Sequence, residues 1–190
     1  TGILFYPIPT MDASSRSGKS RRKNMETSGA PHISRVYSIQ KDWIDYNGHL
    51  NMAYYNVLFD RASDEVSALL GMGPDYARTR RLTTYTAEIH VSYIRELHLT
   101  DRVKASCQLL DYDKKRLHTF QELRHVDGWL AATCECMTLH IDLAGPRVAT
   151  FPPDIMARVE ALGAAHASLP RPARAGRAIA IRRRAMERDE

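Results

Sequence analysis

Asp45, Asn47, Gly48, His49 and Asn51 fall within seven positions of one another, inside the stretch Asp42-Trp43-Ile44-Asp45-Tyr46-Asn47-Gly48-His49-Leu50-Asn51-Met52-Ala53-Tyr54-Tyr55. An apolar pattern of helical period begins just after it. A helix start presents unpaired N–H groups and a partial positive charge. Such donors can polarise a carbonyl and hold the oxyanion that forms when it is attacked. A carboxylate on the incoming loop, here Asp45, can then attack directly or activate water. Gly48 would allow the backbone to approach a substrate closely. The same residues also allow a plainer role, in which Asp45 and Asn47 only cap the helix by accepting from its free N–H groups. Taken alone, the residues leave both roles open.

The elements around this stretch are legible from periodicity. Arg35–Gln40 reads as a strand, and Met52, Tyr55, Phe59, Ala62, Val66, Leu69 and Leu70 mark one face of a helix over about Asn51–Leu70. Asn47 and Asn51 offer caps, and Gly71, Gly73 and Pro74 should stop the helix. Tyr85, Ala87, Ile89, Val91 and Tyr93 then alternate with Thr86, Glu88, His90 and Ser92. Val103–Asp111, Arg116–His125 and Trp129–Asp142 complete four strands, with Asp127-Gly128 as a hairpin signal. A mainly antiparallel sheet following one apolar-faced helix must bury that helix against itself, giving an α+β domain. Pro152–Leu162 adds a short helix.

Composition narrows the classes. The chain has 190 residues, 44% hydrophobic and 26% charged, enough for one core with extensions. The net charge of +5 would suit a nucleic-acid partner, yet residues 33–156 carry −2, and the excess sits in 1–32 (+3) and 157–190 (+4). Basic tails of this kind are usually solvated, so no nucleic-acid partner is expected. The expected organisation is a basic arm over 1–32, a domain over 33–156 and an Ala/Arg/Pro-rich extension over 157–190. No apolar run reaches the roughly 18 residues that span a bilayer, and Gly2–Pro9 is too short for a secretory signal. Cys107, Cys134 and Cys136 form no CxxC pair, which fits reduced core sulfur and a cytoplasmic location.

The string D-x-N-G-H-x-N-x-x-Y-Y, Asp45 through Tyr55, resembles the signature of the 4-hydroxybenzoyl-CoA thioesterase family of hotdog proteins. Tyr93-Ile94-Arg95-Glu96-Leu97 with Thr100-Asp101-Arg102-Val103 is similar to a later passage of that family, and the likeness covers about residues 33–145. The resemblance implies a sheet of five or more antiparallel strands wrapped around one central helix. It also implies Asp45 as base or nucleophile, N–H groups near Met52, Ala53 and Tyr54 as the oxyanion hole, and a coenzyme A site at a dimer interface. Asn47, Gly48, His49 and Asn51 match motif positions that shape the site, whereas Met52 stands where a second Asn is usual. The reaction implied is hydrolysis of an acyl-CoA thioester by a homodimer or homotetramer. No cofactor is involved, since coenzyme A is part of the substrate.

Three further strings, Trp43 to His49, Tyr85 to His90 and Lys115 to Phe120, resemble thioesterase modules of carnitine breakdown, some fused to carnitine dehydrogenase and acting on betainyl-CoA. A cationic acyl group would suit aromatic faces and a carboxylate, and Trp43, Tyr46, Tyr85 and Glu88 are the residues expected to supply them. Arg95, Arg116, Arg124 and the tail arginines are candidates for the nucleotide phosphates. Glu65, off the apolar face, is expected to be a solvated helix carboxylate. His90, His118, His125 and His140 lack metal-ligand spacing, so no metal is expected. A non-catalytic acyl-CoA-binding hotdog protein and a hotdog hydratase or dehydratase are the alternatives.

Overall fold

A computed structural model describes residues 29–181 of the chain. Most of the basic arm expected over 1–32, and the last arginines of the tail, lie outside the described residues. The elements are β1 (His32–Ile33), β2 (Tyr37–Ser38), α1 (Met52–Leu69), α2 (Pro74–Arg80), β3 (Leu82–Tyr93), β4 (Arg102–Tyr112), β5 (Arg116–His125), β6 (Leu130–Asp142), β7 (Arg147–Val148) and α3 (Pro153–His166). All strand pairs are antiparallel, in the order β1-β4-β5-β6-β3, with β2 also on β4 and β7 on β6. The sheet wraps α1, as the strand–helix–four-strand order predicted. No described helix is long and apolar enough to cross a membrane.

α1 forms where the apolar spacing placed it. Asn51 caps its start, its side chain accepting from the Ala53 N–H at 3.0 Å. Gly71, at φ +83°, turns the chain so that the Met72 N–H reaches the Ser67 carbonyl at 2.8 Å. Tyr55, Leu58, Phe59 and Ala62 pack on Val103, Ala105, Leu123, Ala132, Cys134 and Cys136 of the sheet. Each side chain the size of Leu58, which has no exposed surface, contributes about 1.5–3 kcal/mol by leaving water. Val66 and Leu70 at the other end of α1 share a second cluster with Phe151, Ile155 and Val159. The three cysteines are free and buried.

Four expectations need correction. The first strand is not continuous over Arg35–Gln40. Only Tyr37–Ser38 of that span is strand, β2. Ser34, which donates its N–H to the Ala105 carbonyl and accepts the Ala105 N–H on Oγ, interrupts the ladder between it and the earlier β1. Pro74 does not merely follow a helix end but opens α2 from its first turn. The boundary expected at residue 156 falls inside α3, which continues to the buried His166. Beyond it the chain is held on the sheet, with the Gly176 N–H on Glu135 and Gln108 on the Pro170 carbonyl.

The fourth correction concerns β3, whose alternation is broken. Thr86 opposes Thr138 while Glu88 opposes Met137, leaving Ala87 as a bulge. Thr86 therefore shares the α1-facing side with Ile89, Val91 and Tyr93. Tyr85 and Glu88 lie together on the opposite side.

Candidate active site

The Asp45 loop is a small closed turn. Ile44 bridges Leu50, the Asp45 N–H donates to the His49 carbonyl at 2.9 Å, and the Gly48 N–H donates to the Asp45 carbonyl at 3.0 Å. Gly48 adopts φ +81°, a left-handed conformation costly for any side-chain-bearing residue. The loop is pinned to the body by Asn51 N–H on the Trp43 carbonyl (2.9 Å) and Leu50 N–H on the Leu97 carbonyl (2.7 Å). Its carboxylate is oriented from within: Oδ1 of Asp45 accepts from the Asn47 N–H at 2.8 Å and more weakly from the His49 N–H at 3.4 Å. Among the described residues no bond is made to Oδ2, so one oxygen holds the geometry and the other is left for chemistry.

This carboxylate borders an open groove of about 740 Å³ lined by Tyr46, His49, Met52, Tyr55, Tyr93 and Arg95, among others. The groove floor is firm because Tyr93 donates its hydroxyl to the Met52 carbonyl at 3.2 Å and packs edge-on against Tyr55. The helix N-terminus faces this region, but its donors are unequal. The Ala53 N–H is taken by the Asn51 side chain and the Tyr54 N–H by the Asn51 carbonyl. Of the three positions expected to supply the oxyanion hole, Met52 alone keeps a donor without a partner among the described residues.

The four residues expected to surround a cationic acyl group are not brought together. Trp43 is buried, stacked on Tyr54 at 5.3 Å with the Arg61 guanidinium 5.1 Å from its ring. It clamps the loop to α1. Tyr46 is on the groove but 97% exposed. Tyr85 and Glu88 lie on the far side of the sheet because of the bulge.

Glu65 is not the solvated carboxylate expected. It accepts from the Tyr37 hydroxyl at 2.8 Å and the Arg35 N–H at 3.1 Å, with His32 at 3.4 Å. Burial raises its carboxyl, but these bonds outweigh that and hold it below the ordinary glutamate value. Burial and the same carboxylate push the Tyr37 phenol up to about 12. Its partners are all on the entering chain, so it anchors β1 and β2 to the helix.

One feature was missed from sequence. His49, Glu96 and His98 bring ligand atoms within 4.8 Å of one another beside the groove, a group able to hold a cation. Of the candidate arginines, Arg116 is tied to Asp113, and Arg124 to Glu122 and the Gly128 carbonyl. Arg95, which lies over Trp129 at 4.1 Å, has no carboxylate partner among the described residues and lines the groove.

Comparison with known proteins agrees with this geometry. The chain is 39% identical over 141 residues to a betainyl-CoA thioesterase of Pseudomonas aeruginosa, covering 74% of this chain and 89% of that protein. It is 30% identical over 167 residues to an L-carnitine dehydrogenase/betainyl-CoA thioesterase of Rhizobium meliloti, covering 87% of this chain but only 33% of that longer protein. A Staphylococcus aureus protein solved in complex with CoA superposes with a TM-score of 0.75 at 28% identity, covering 80% of this chain and 98% of that one. Residues 39–159 match the thioesterase-like superfamily, and the chain belongs to that family.

Proposed function

We propose that the protein hydrolyses an acyl-CoA thioester, with betainyl-CoA as the substrate that its relatives favour. The observation that carries this is the Asp45 carboxylate, fixed through one oxygen by its own loop and open through the other to a groove at a helix N-terminus. In the reaction Asp45 attacks the thioester carbonyl or takes a proton from the water that does. The developing oxyanion is met by the Met52 N–H and the α1 dipole. The C–S bond breaks, the sulfur leaves as the coenzyme A thiol after protonation, and water supplies the hydroxyl of the free acid. No cofactor is required by this balance. Arg95, at the groove and without a carboxylate partner among the described residues, is the residue proposed to meet the nucleotide phosphates.

We further infer that the working unit contains two copies joined along β3. This strand is the edge of the sheet, is twelve residues long, and carries Glu88 as its one acidic or basic charge apart from His90. Tyr85, Ile89 and Tyr93 on it are each more than two-fifths exposed. A long, sparsely charged edge with exposed large side chains is normally covered.

The test is a panel of acyl-CoA esters, betainyl-CoA included, followed with a thiol reagent. Release of free coenzyme A supports hydrolysis. Tight binding without release would point to a sensor, and hydration of an enoyl-CoA to a hydratase. Light scattering that finds only monomer at micromolar concentration would remove the β3 pairing.

A further inference from the structure

Beyond the Asp45 groove, α1 and β3 continue side by side, and a second cavity of about 320 Å³ opens between them and the sheet. It begins at Asn56, one helical turn from Met52 of the groove, a step of about 6 Å along the axis. Its walls include Phe59, Asp60, Ser63, Ile89 and Gln121.

Two buried acceptors in this wall, Asn56 Oδ1 and Gln121 Oε1, have no hydrogen-bond partner among the described residues. Gln121 is only 1% exposed, and its amide nitrogen is already committed to Ser63 Oγ at 2.9 Å. An unpaired buried acceptor costs about 1–3 kcal/mol, so two at one cavity favour an occupant that brings donors or positive charge. Asn56, Asp60 and Ser63 follow at i, i+4 and i+7, placing the solvent-exposed Asp60 carboxylate at the mouth of the cavity on the same stripe. Asp64 stands one turn further on. Neither acid has a basic partner among the described residues, and the Asp64 carboxyl is raised, first by burial and then by the Asp60 charge. The rest of the wall is apolar apart from Thr86, with Val57, Phe59, Ile89, Cys134 and Cys136.

Negative potential at the mouth of a largely apolar wall favours a cation that needs no hydrogen bonds. A quaternary ammonium, whose charge is spread over its methyl groups, meets that description, and an aromatic face such as that of Phe59 adds to it. Carbonyl oxygens also make favourable contacts with polarised C–H groups. We propose that this cavity receives the trimethylammonium end of the acyl group, with Asp60 as counter-charge and the Asn56 and Gln121 carbonyls as its polar lining. The inference rests on the thioesterase reading and names the residues that would give it a cationic substrate.

The experiment compares kcat/KM for betainyl-CoA with that for 3,3-dimethylbutanoyl-CoA, which has the same shape without the charge. The wild-type protein should prefer the charged ester, and Asp60→Asn should lower the ratio about two- to fivefold, the scale of an exposed charge contact. Asn56→Leu, with folding checked by circular dichroism, should lower it as well. A ratio unchanged in both variants, with hydrolysis of both esters intact, would overturn the cavity as the charge reader and leave the thioesterase standing. Hydrolysis of neither ester by the wild-type protein would remove the thioesterase reading and this inference together.

Discussion

Asp45 and His49 are joined at both ends of one turn: the Asp45 N–H donates to the His49 carbonyl at 2.9 Å, and the His49 N–H approaches Asp45 Oδ1 at 3.4 Å. The turn therefore needs an oxygen at Oδ1 but no charge at Oδ2. Asp45→Asn retains the first and removes the second. Turnover of the best acyl-CoA should fall at least about a hundredfold, the scale of general-base catalysis, with the melting temperature little changed. Near-normal turnover would reduce Asp45 to a turn-former.

Gly48→Ala tests the loop conformation without touching any side chain. A Cβ there meets nothing within 4 Å, so only the positive φ is penalised. A loss of about 1 kcal/mol is expected, or else a relaxed loop that misplaces the carboxylate and lowers kcat. Urea unfolding and steady-state kinetics distinguish the two. An alanine variant unchanged in both would show that the loop does not depend on this conformation.

Glu65→Gln should leave turnover within a few-fold while costing about 1–2 kcal/mol, because a charged acceptor of several donors is replaced by a neutral one. The folded carboxyl lies below its ordinary value of 4.5. Its stabilisation is therefore complete above that value and is lost as pH falls through the folded one. Acid unfolding of the wild-type protein should be steeper there than that of the variant. A loss of activity in a stable Glu65→Gln protein would instead place the helix carboxylate in the chemistry.

A second, higher window belongs to two buried histidines. His140 is bonded to the Tyr76 hydroxyl at 2.7 Å and lies 3.0 Å from the Ala149 carbonyl, and His166 accepts the Leu109 N–H at 2.9 Å. Burial lowers the pKa of both from 6.5. The unfolded chain takes up protons that the folded one refuses, so stability is full above about 6.5 and falls as pH drops below it. The urea midpoint should be lower at pH 5.5 than at 7.5, and His166→Gln should shrink the difference. Equal midpoints at both pH values would contradict this.

The central helix was legible because its apolar steps and its stops agree: Asn51–Leu70 was expected and Met52–Leu69 is formed. The Asp45 loop was legible because its residue types are unusual together. Glu65 was misread because its partners, His32, Arg35 and Tyr37, lie about thirty residues away and a helical wheel does not include them. The faces of β3 were misassigned for a related reason. The string from Tyr85 to Tyr93 alternates without a visible fault, and the bulge appears only against β6. Gln121 carried no signal, since an amide in a strand gains meaning only from what it fails to meet.

The bulge at Ala87 also governs how β3 can vary in length. Ala87 is the residue between Thr86 and Glu88 for which β6 offers no opposite number. Shortening the chain there would leave Leu82–Thr86 and Glu88–Tyr93 on their present partners, with Ile89 and Tyr93 still toward α1. Removing Thr86 or Glu88 would let Ala87 take the vacated place, whereas a cut further away would turn the residues between it and the bulge to the other surface. A single-residue deletion scan of this strand should therefore find its tolerant positions confined to Thr86, Ala87 and Glu88, with the cost rising away from them.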